Sequence, residues 1–141
     1  MQLLDLALRQ QSPGPYQVQA AIASVHAQAS TAQETDWDEI AALYGTLVRM
    51  TPTVVVALNH AVAIAMSRGF EKGLDLIDLL SASDTLDGYR LFHAARADLL
   101  RRLGRRQEAL AAYNKALALT TNRVEKAYLR RRVHALGSGS I

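Results

Sequence analysis

Apolar and small residues recur three and four positions apart along almost the whole chain, and no stretch alternates polar and apolar residues long enough to argue for a strand. In "WDEIAALYGTLVRM" the recurring positions are Ile40, Tyr44 and Leu47. In "FEKGLDLIDLL" they are Gly73, Ile77 and Leu80, and in "RRQEALAAYNKALAL" they are Ala109, Tyr113 and Ala116. Clusters of Pro, Gly, Ser, Thr and Asp interrupt this rhythm at 11–16, 30–37, 50–53, 67–70, 81–88, 103–106 and 120–123, the chemistry that stops one helix and caps the next. The pattern predicts an all-α protein of about seven antiparallel helices.

The helices also repeat. Those starting at Trp37, Phe70 and Arg106 lie 33 and 36 residues apart, and a two-helix period near 34 is the mark of tetratricopeptide repeats. A right-handed tetratricopeptide-like solenoid is expected over 13–136, with 1–12 a remnant of a preceding helix and 137–141 a flexible tail. Ala61, Ala97, Ala109 and Ala116 are placed to let paired helices approach closely. The clearest unit is "LGRRQEALAAYNKALAL" (103–119), where Gly104 ends one helix and Ala109, Tyr113 and Ala116 carry the apolar face of the next. Elsewhere the repeat is degenerate: Gly73 stands where Ala is usual, and Thr121 where Pro often closes the unit, although Pro52 does close the first. The last helix should turn Val124, Ala127, Tyr128 and Leu136 inward and its many cations outward, as the end of a repeat array requires.

Composition narrows the chemistry. The 141-residue chain is half hydrophobic, enough for one domain with a core, and it contains no Cys, which removes disulfides, thiolate nucleophiles and Cys-ligated zinc. "MQLLDLALRQQ" lacks the pattern of a signal peptide, and the apolar run at 54–66 is too short to span a bilayer. A cytoplasmic protein is expected. The net charge of +3 is unevenly spread: residues 1–95 hold five Lys/Arg against ten Asp/Glu, and residues 96–141 hold eleven against three. Such a basic third can serve a nucleic acid or an acidic partner, or be a solvated helix face.

Candidate site residues were weighed against their structural alternatives. His26, His60 and His93 recur at 34 and 33 residues, but none has a second His or a carboxylate at the spacing of a helical ligand pair, so no metal site is expected. Asp36, Asp38 and Glu39 around Trp37 read as a helix cap with a favourable dipole interaction. No phosphate loop, nucleophile elbow or Ser/His/Asp arrangement is present, so neither enzyme activity nor a cofactor is expected. Asn59 interrupts an apolar helix, where it either satisfies a buried partner or, beside His60, holds a bound segment. Arg96 is a candidate contact for an acidic partner. In "TLDGYRLF" Asp87 is a candidate cap for the next helix, and Gly88 suits a turn closely approached by another chain. Tyr89 and Arg90 are not needed to start that helix and are of the type enriched at interface hot spots. Their local alternative is packing against the preceding helix pair and bonding to loop carbonyls or Asp84.

The order of motifs adds a further expectation. "GPYQVQAAIASVHA", "TDWDEIAALYGTLVRMTPTVVVALNHAVAIA", "DGYRLFHAARADLLRRLGR" and "EALAAYNKALAL" together resemble the C-terminal extension of a bacterial group of extracytoplasmic-function RNA polymerase sigma factors, over about residues 1–136. The resemblance implies a helical-repeat extension that follows two promoter-reading sigma domains, with the turn Asp87, Gly88, Tyr89 and Arg90 as its hallmark. It also implies partners among the sigma domains themselves, RNA polymerase or a separate protein. No promoter-reading region lies within these 141 residues, so a fragment unable to initiate transcription alone is expected. Two alternatives stay open: a nucleic-acid-contacting module using the basic third, and a small-ligand or metal sensor using the His-bearing helices.

Overall fold

A computed structural model describes residues 14–28, 35–82 and 86–138, and among them it contains seven α-helices and no strand. They are α1 (Pro15–Gln28), α2 (Trp37–Met50), α3 (Val54–Arg68), α4 (Phe70–Leu80), α5 (Arg90–Arg102), α6 (Arg106–Leu119) and α7 (Arg123–Ser138). The expected remnant at 1–12 lies outside the described residues. The last helix runs to Ser138, two residues past the boundary set at 136. No described helix is long and apolar enough to cross a membrane. The chain divides into two compact units that meet at Gly69 and Phe70.

The first unit holds α1, α2 and α3, each packed on the next in sequence. The Asp36 carboxylate accepts the Glu39 amide at 3.1 Å and Thr53 accepts the Val56 amide at 3.2 Å, so both internal helix starts are capped by side chains as their sequences require. Val18, Ile22 and Val25 of α1, Ile40, Leu43 and Leu47 of α2, and Leu58 and Ile64 of α3 are buried, each set at helical spacing. Ala61 and Ala65, also buried, keep the α3 surface low where α2 lies on it. Gly69 ends α3 at a φ of 119°, a backbone state that residues with a Cβ rarely adopt.

The second unit holds α4 to α7. α6 packs on both α5 and α7, and α4 packs on α5. Its core joins Leu74 and Ile77 of α4, Leu86 of the turn, Phe92, Leu99 and Leu100 of α5, Ala112 and Tyr113 of α6 and Leu129 of α7. Ala97, Ala109 and Ala116 are fully buried at the helix crossings, as the repeat pattern predicts. Gly104, at φ 77°, closes α5 while the Arg105 amide reaches back to the Leu100 carbonyl (2.9 Å) and the Gly104 amide to that of Arg101 (3.0 Å). This paired arrangement satisfies carbonyls that the helix end would otherwise leave open.

One helix is rotated from its expected face. In α7 Leu129 is buried and Leu136 half-buried, whereas Val124 is 78% exposed and Ala127 is also at the surface. The cause is polar: Glu125 is drawn to Arg90 and Tyr128 to Asp98, both on α5, which sets the side of α7 that carries 125, 128, 129 and 136 against the unit. Arg123, Arg130 and Arg131 face outward, whereas Arg132 is half-buried.

Candidate functional site

The turn before α5 is the place to begin, because its four residues go to different tasks. Asp87 does not cap the helix as its sequence suggests. The N-cap position is Tyr89, which makes no side-chain capping bond. Instead the Asp87 carboxylate takes the Lys115 ammonium of α6 at 2.8 Å, and its carbonyl accepts the Nε2–H of buried His93 at 2.7 Å. The hydrogen bond and charge of Lys115 hold the Asp87 carboxyl below its ordinary range. His93 is thereby explained as a core histidine that ties the turn to its own helix.

Arg90 also has an internal role that its sequence context did not disclose. Its guanidinium grips Glu125 of α7 with two bonds, Nε to Oε2 at 2.7 Å and Nη2 to Oε1 at 3.3 Å. Asp84, one of its expected partners, lies outside the described residues. Bonding to Arg90 holds the Glu125 carboxyl below its ordinary range. The remaining two residues behave differently. Tyr89 is half-buried and its hydroxyl makes no hydrogen bond among the described residues, and Gly88 is exposed without a positive φ. Among the described residues no atom lies within 4 Å of where a Cβ at position 88 would sit. The turn conformation therefore does not itself demand glycine.

Two openings flank the turn. On one side a groove of ≈ 380 Å³ gathers Asp78, Asp87, His93, Arg96 and Lys115 above Phe92. Arg96 is spoken for there, its Nε meeting Asp78 at 2.8 Å. On the other side a smaller cavity of ≈ 160 Å³ is walled by Leu91, Ala94, Tyr128 and Leu129, with Arg90, Glu125 and Thr120 at its edge.

Behind these openings lies a polar network for which spacing gave no signal. The Asp98 carboxylate accepts the hydroxyls of Tyr113 and Tyr128, and Arg101 donates to Tyr113 at 3.1 Å. Arg132 donates to Tyr128 at 3.3 Å and lies over its ring. Burial, then the bond to Asp98, pushes the Tyr113 phenol well above the usual tyrosine range, so it stays a neutral donor. Arg106 completes the tie by donating to the Leu136 carbonyl at 2.7 Å, near the end of α7. Much of the basic third thus serves the unit's own cohesion.

In the first unit Asn59 is exposed and lines a groove of ≈ 440 Å³ between α1 and α3, with Gln19, Ile22, His26, Tyr44 and Val55. Of the two readings for Asn59, the groove-lining one matches this placement. His60, its neighbour, does not line that groove. It is half-buried, with its ring beside Gly45, where a Cβ would stand in ordinary contact with Nε2 at 3.5 Å. Burial, then Arg68 and Arg49, lowers its pKa and favours the neutral form. His26 meets Trp37 edge to face at 5.4 Å. Among the described residues no three His, Asp or Glu are grouped to hold a metal ion.

Comparison with known proteins sets the class. No protein-family model matches the chain. The chain is similar to the first TPR domain of the human RPAP3 protein, seen by NMR, with a TM-score of 0.63 and 21% identity over 91% of this chain and all of that one. The fold is therefore all-α and tetratricopeptide-like. It is also 44% identical over 136 residues to an uncharacterized protein of Rhizobium meliloti (strain 1021), a match that takes in 96% of this chain and 32% of that protein. The chain spans about a third of the length of the curated relative it matches.

Proposed function

We propose that the chain is the regulatory, protein-binding domain of a bacterial extracytoplasmic-function sigma factor. In this reading it is non-catalytic, works in the cytoplasm, and modulates transcription initiation by contacting the sigma core domains, RNA polymerase or a partner protein. The tetratricopeptide-like fold supports the protein-binding part, and the ordered motifs that end in Asp87, Gly88, Tyr89 and Arg90 support the sigma-factor part. A relative about three times as long, matched over nearly all of this chain, is in keeping with a domain joined to others.

The observation that carries the proposal is the division of labour inside the turn. Asp87 and Arg90 are occupied within the unit, while Gly88 and the Tyr89 hydroxyl have no local task. A bare, exposed backbone beside a flat ring with a free hydroxyl suits close approach by another chain, and tyrosine is favoured at interface hot spots. The contact is assigned to these two residues, with Arg90 as the strut that positions them.

The test joins this domain to its sigma domains and measures promoter-dependent transcription in vitro. Gly88→Ala with Tyr89→Ala should leave the melting curve of the domain unchanged and lower transcription about tenfold or more, on the scale of one lost hot spot. Full transcription by that variant, with the fold intact, would refute the docking role of the turn.

A further inference from the structure

The cavity between α5 and α7 has an unusual property: every polar group at its edge is already partnered within the chain. Thr120 donates its hydroxyl to the Ala116 carbonyl at 2.7 Å, Arg90 and Glu125 bind each other, and the Tyr128 hydroxyl is held by Asp98 and Arg132. What remains to receive a ligand is the apolar wall of Leu91, Ala94, Tyr128 and Leu129, with Leu91 43% exposed. At ≈ 160 Å³ it is close to the size of an engineered cavity of about 150 Å³ that accepts benzene, so a single ring or branched aliphatic side chain fits.

Next to this cavity the outer face of α7 carries unmatched positive charge. Among the described residues, the side chains of Arg123, Lys126, Arg130 and Arg131 make no ion pair or hydrogen bond, unlike those of Arg90, Arg96, Arg101, Arg105, Arg106, Lys115 and Arg132 of the same unit. They extend over ~12 Å of helix at 1.5 Å per residue. Val124, 78% exposed, stands one turn before Tyr128 of the cavity wall and one residue from Arg123, which places an apolar side chain between the cavity and the cations.

We propose that the α5–α7 cavity and the adjoining cationic face of α7 form one docking site for an acidic amphipathic segment of a partner protein. An apolar side chain of the segment enters the cavity and packs on Val124, and carboxylates on either side of it meet Arg123, Arg130 and Arg131. Charge complementarity calls for an anion, and the apolar cavity chooses among anions. The phosphodiester backbone has no apolar group to fill it, and a base would have to stack on Tyr128, whose ring Arg132 already covers. Arginine forks suit paired carboxylate oxygens. The inference rests on reading the chain as a protein-binding domain and is independent of whether that partner belongs to the transcription machinery.

The probe is a short synthetic helical peptide of Glu and Ala with one central Leu, titrated into the isotopically labelled chain at low salt and followed by NMR. The control is the same peptide with Ala replacing Leu, alongside duplex DNA and phosphatidylglycerol vesicles. The Leu peptide should bind about tenfold or more tightly than the Ala peptide, the scale expected for burying one aliphatic side chain, and should shift resonances of α5 and α7. Arg130→Glu with Arg131→Glu, both exposed, should keep the melting curve and weaken binding at least about tenfold, whereas Ala94→Phe should erase the difference between the two peptides. Equal binding of both peptides, no binding at millimolar concentration, shifts confined to other helices, or tighter binding of DNA or vesicles would overturn the proposal. Because these arms read peptide affinity and the turn variants read transcription, failure of one does not imply failure of the other.

Discussion

The two units share a helical design yet are held together by different forces. In the first, helix meets helix mainly through aliphatic side chains, with the His26–Trp37 ring contact and the bond of Ser67 to Asp38 beside them. The second unit contains five ion pairs among its described residues, together with the two tyrosines shared by Asp98. Apolar burial is non-directional, whereas bonds such as Arg90 to Glu125 fix how a helix is rotated. The difference explains why hydrophobic spacing described α2 well and misjudged the inner face of α7.

The most severe way to break the contrast is to delete residues 122–141. The second unit would lose Leu129 from its core, the Tyr128 bond to Asp98 and the partners of Arg90 and Arg106 in one step. Aggregation on gel filtration and loss of cooperative melting are expected, while amides of α2 and α3 stay protected from hydrogen exchange. Next in size are the core truncations Leu43→Ala and Leu100→Ala, which should each cost about 2–5 kcal/mol by urea titration. Both sites are fully buried, so similar losses are expected despite the different cements. Against a domain stability of about 5–15 kcal/mol, either change is large.

Tyr113→Phe should affect only the polar kind of cohesion. It keeps the ring and removes the hydroxyl bonded to Asp98 and Arg101, for an expected loss of about 1–3 kcal/mol by the same titration. Smaller still are the pH responses, which fall in different ranges for the two units. His60 has a folded pKa below its ordinary 6.5, so the unfolded chain takes up the proton first. Stability of the first unit should therefore be full above pH 6.5 and decline as pH falls below it, a decline removed by His60→Gln. Glu125 and Glu108 are held below 4.5 and Asp87 below 3.8 by their cation partners, so their contribution is present above those values and is lost as pH falls through the lower folded ones. Exchange rates followed residue by residue from pH 7 to 3 should show α3 loosening before α5 and α7.

These particulars also show what a linear pattern can reveal. The buried alanines at 61, 97, 109 and 116 and the cap at Asp36 were readable because spacing and local chemistry determine them within a turn or two. The local ties of the turn at 87–90 are not legible in the sequence, since Lys115 and Glu125 lie 28 and 35 residues from the groups they bind. The Asp98 network stayed hidden for the same reason: a tyrosine at a core-facing position has the same period whether or not its hydroxyl finds a carboxylate. The groove placement of Asn59 was one of two readings that the sequence alone left balanced.

The shortness of these links has a consequence for how the protein is made. The side-chain ties described above join positions at most 35 residues apart, and several join positions separated by 12 to 18. Contacts this local close quickly and need nothing from a distant part of the chain. On the ribosome, α2 and α3 can settle together while the second unit is still being translated, and the Asp98 hub fills in order, first with Tyr113 and then with Tyr128 as α7 emerges.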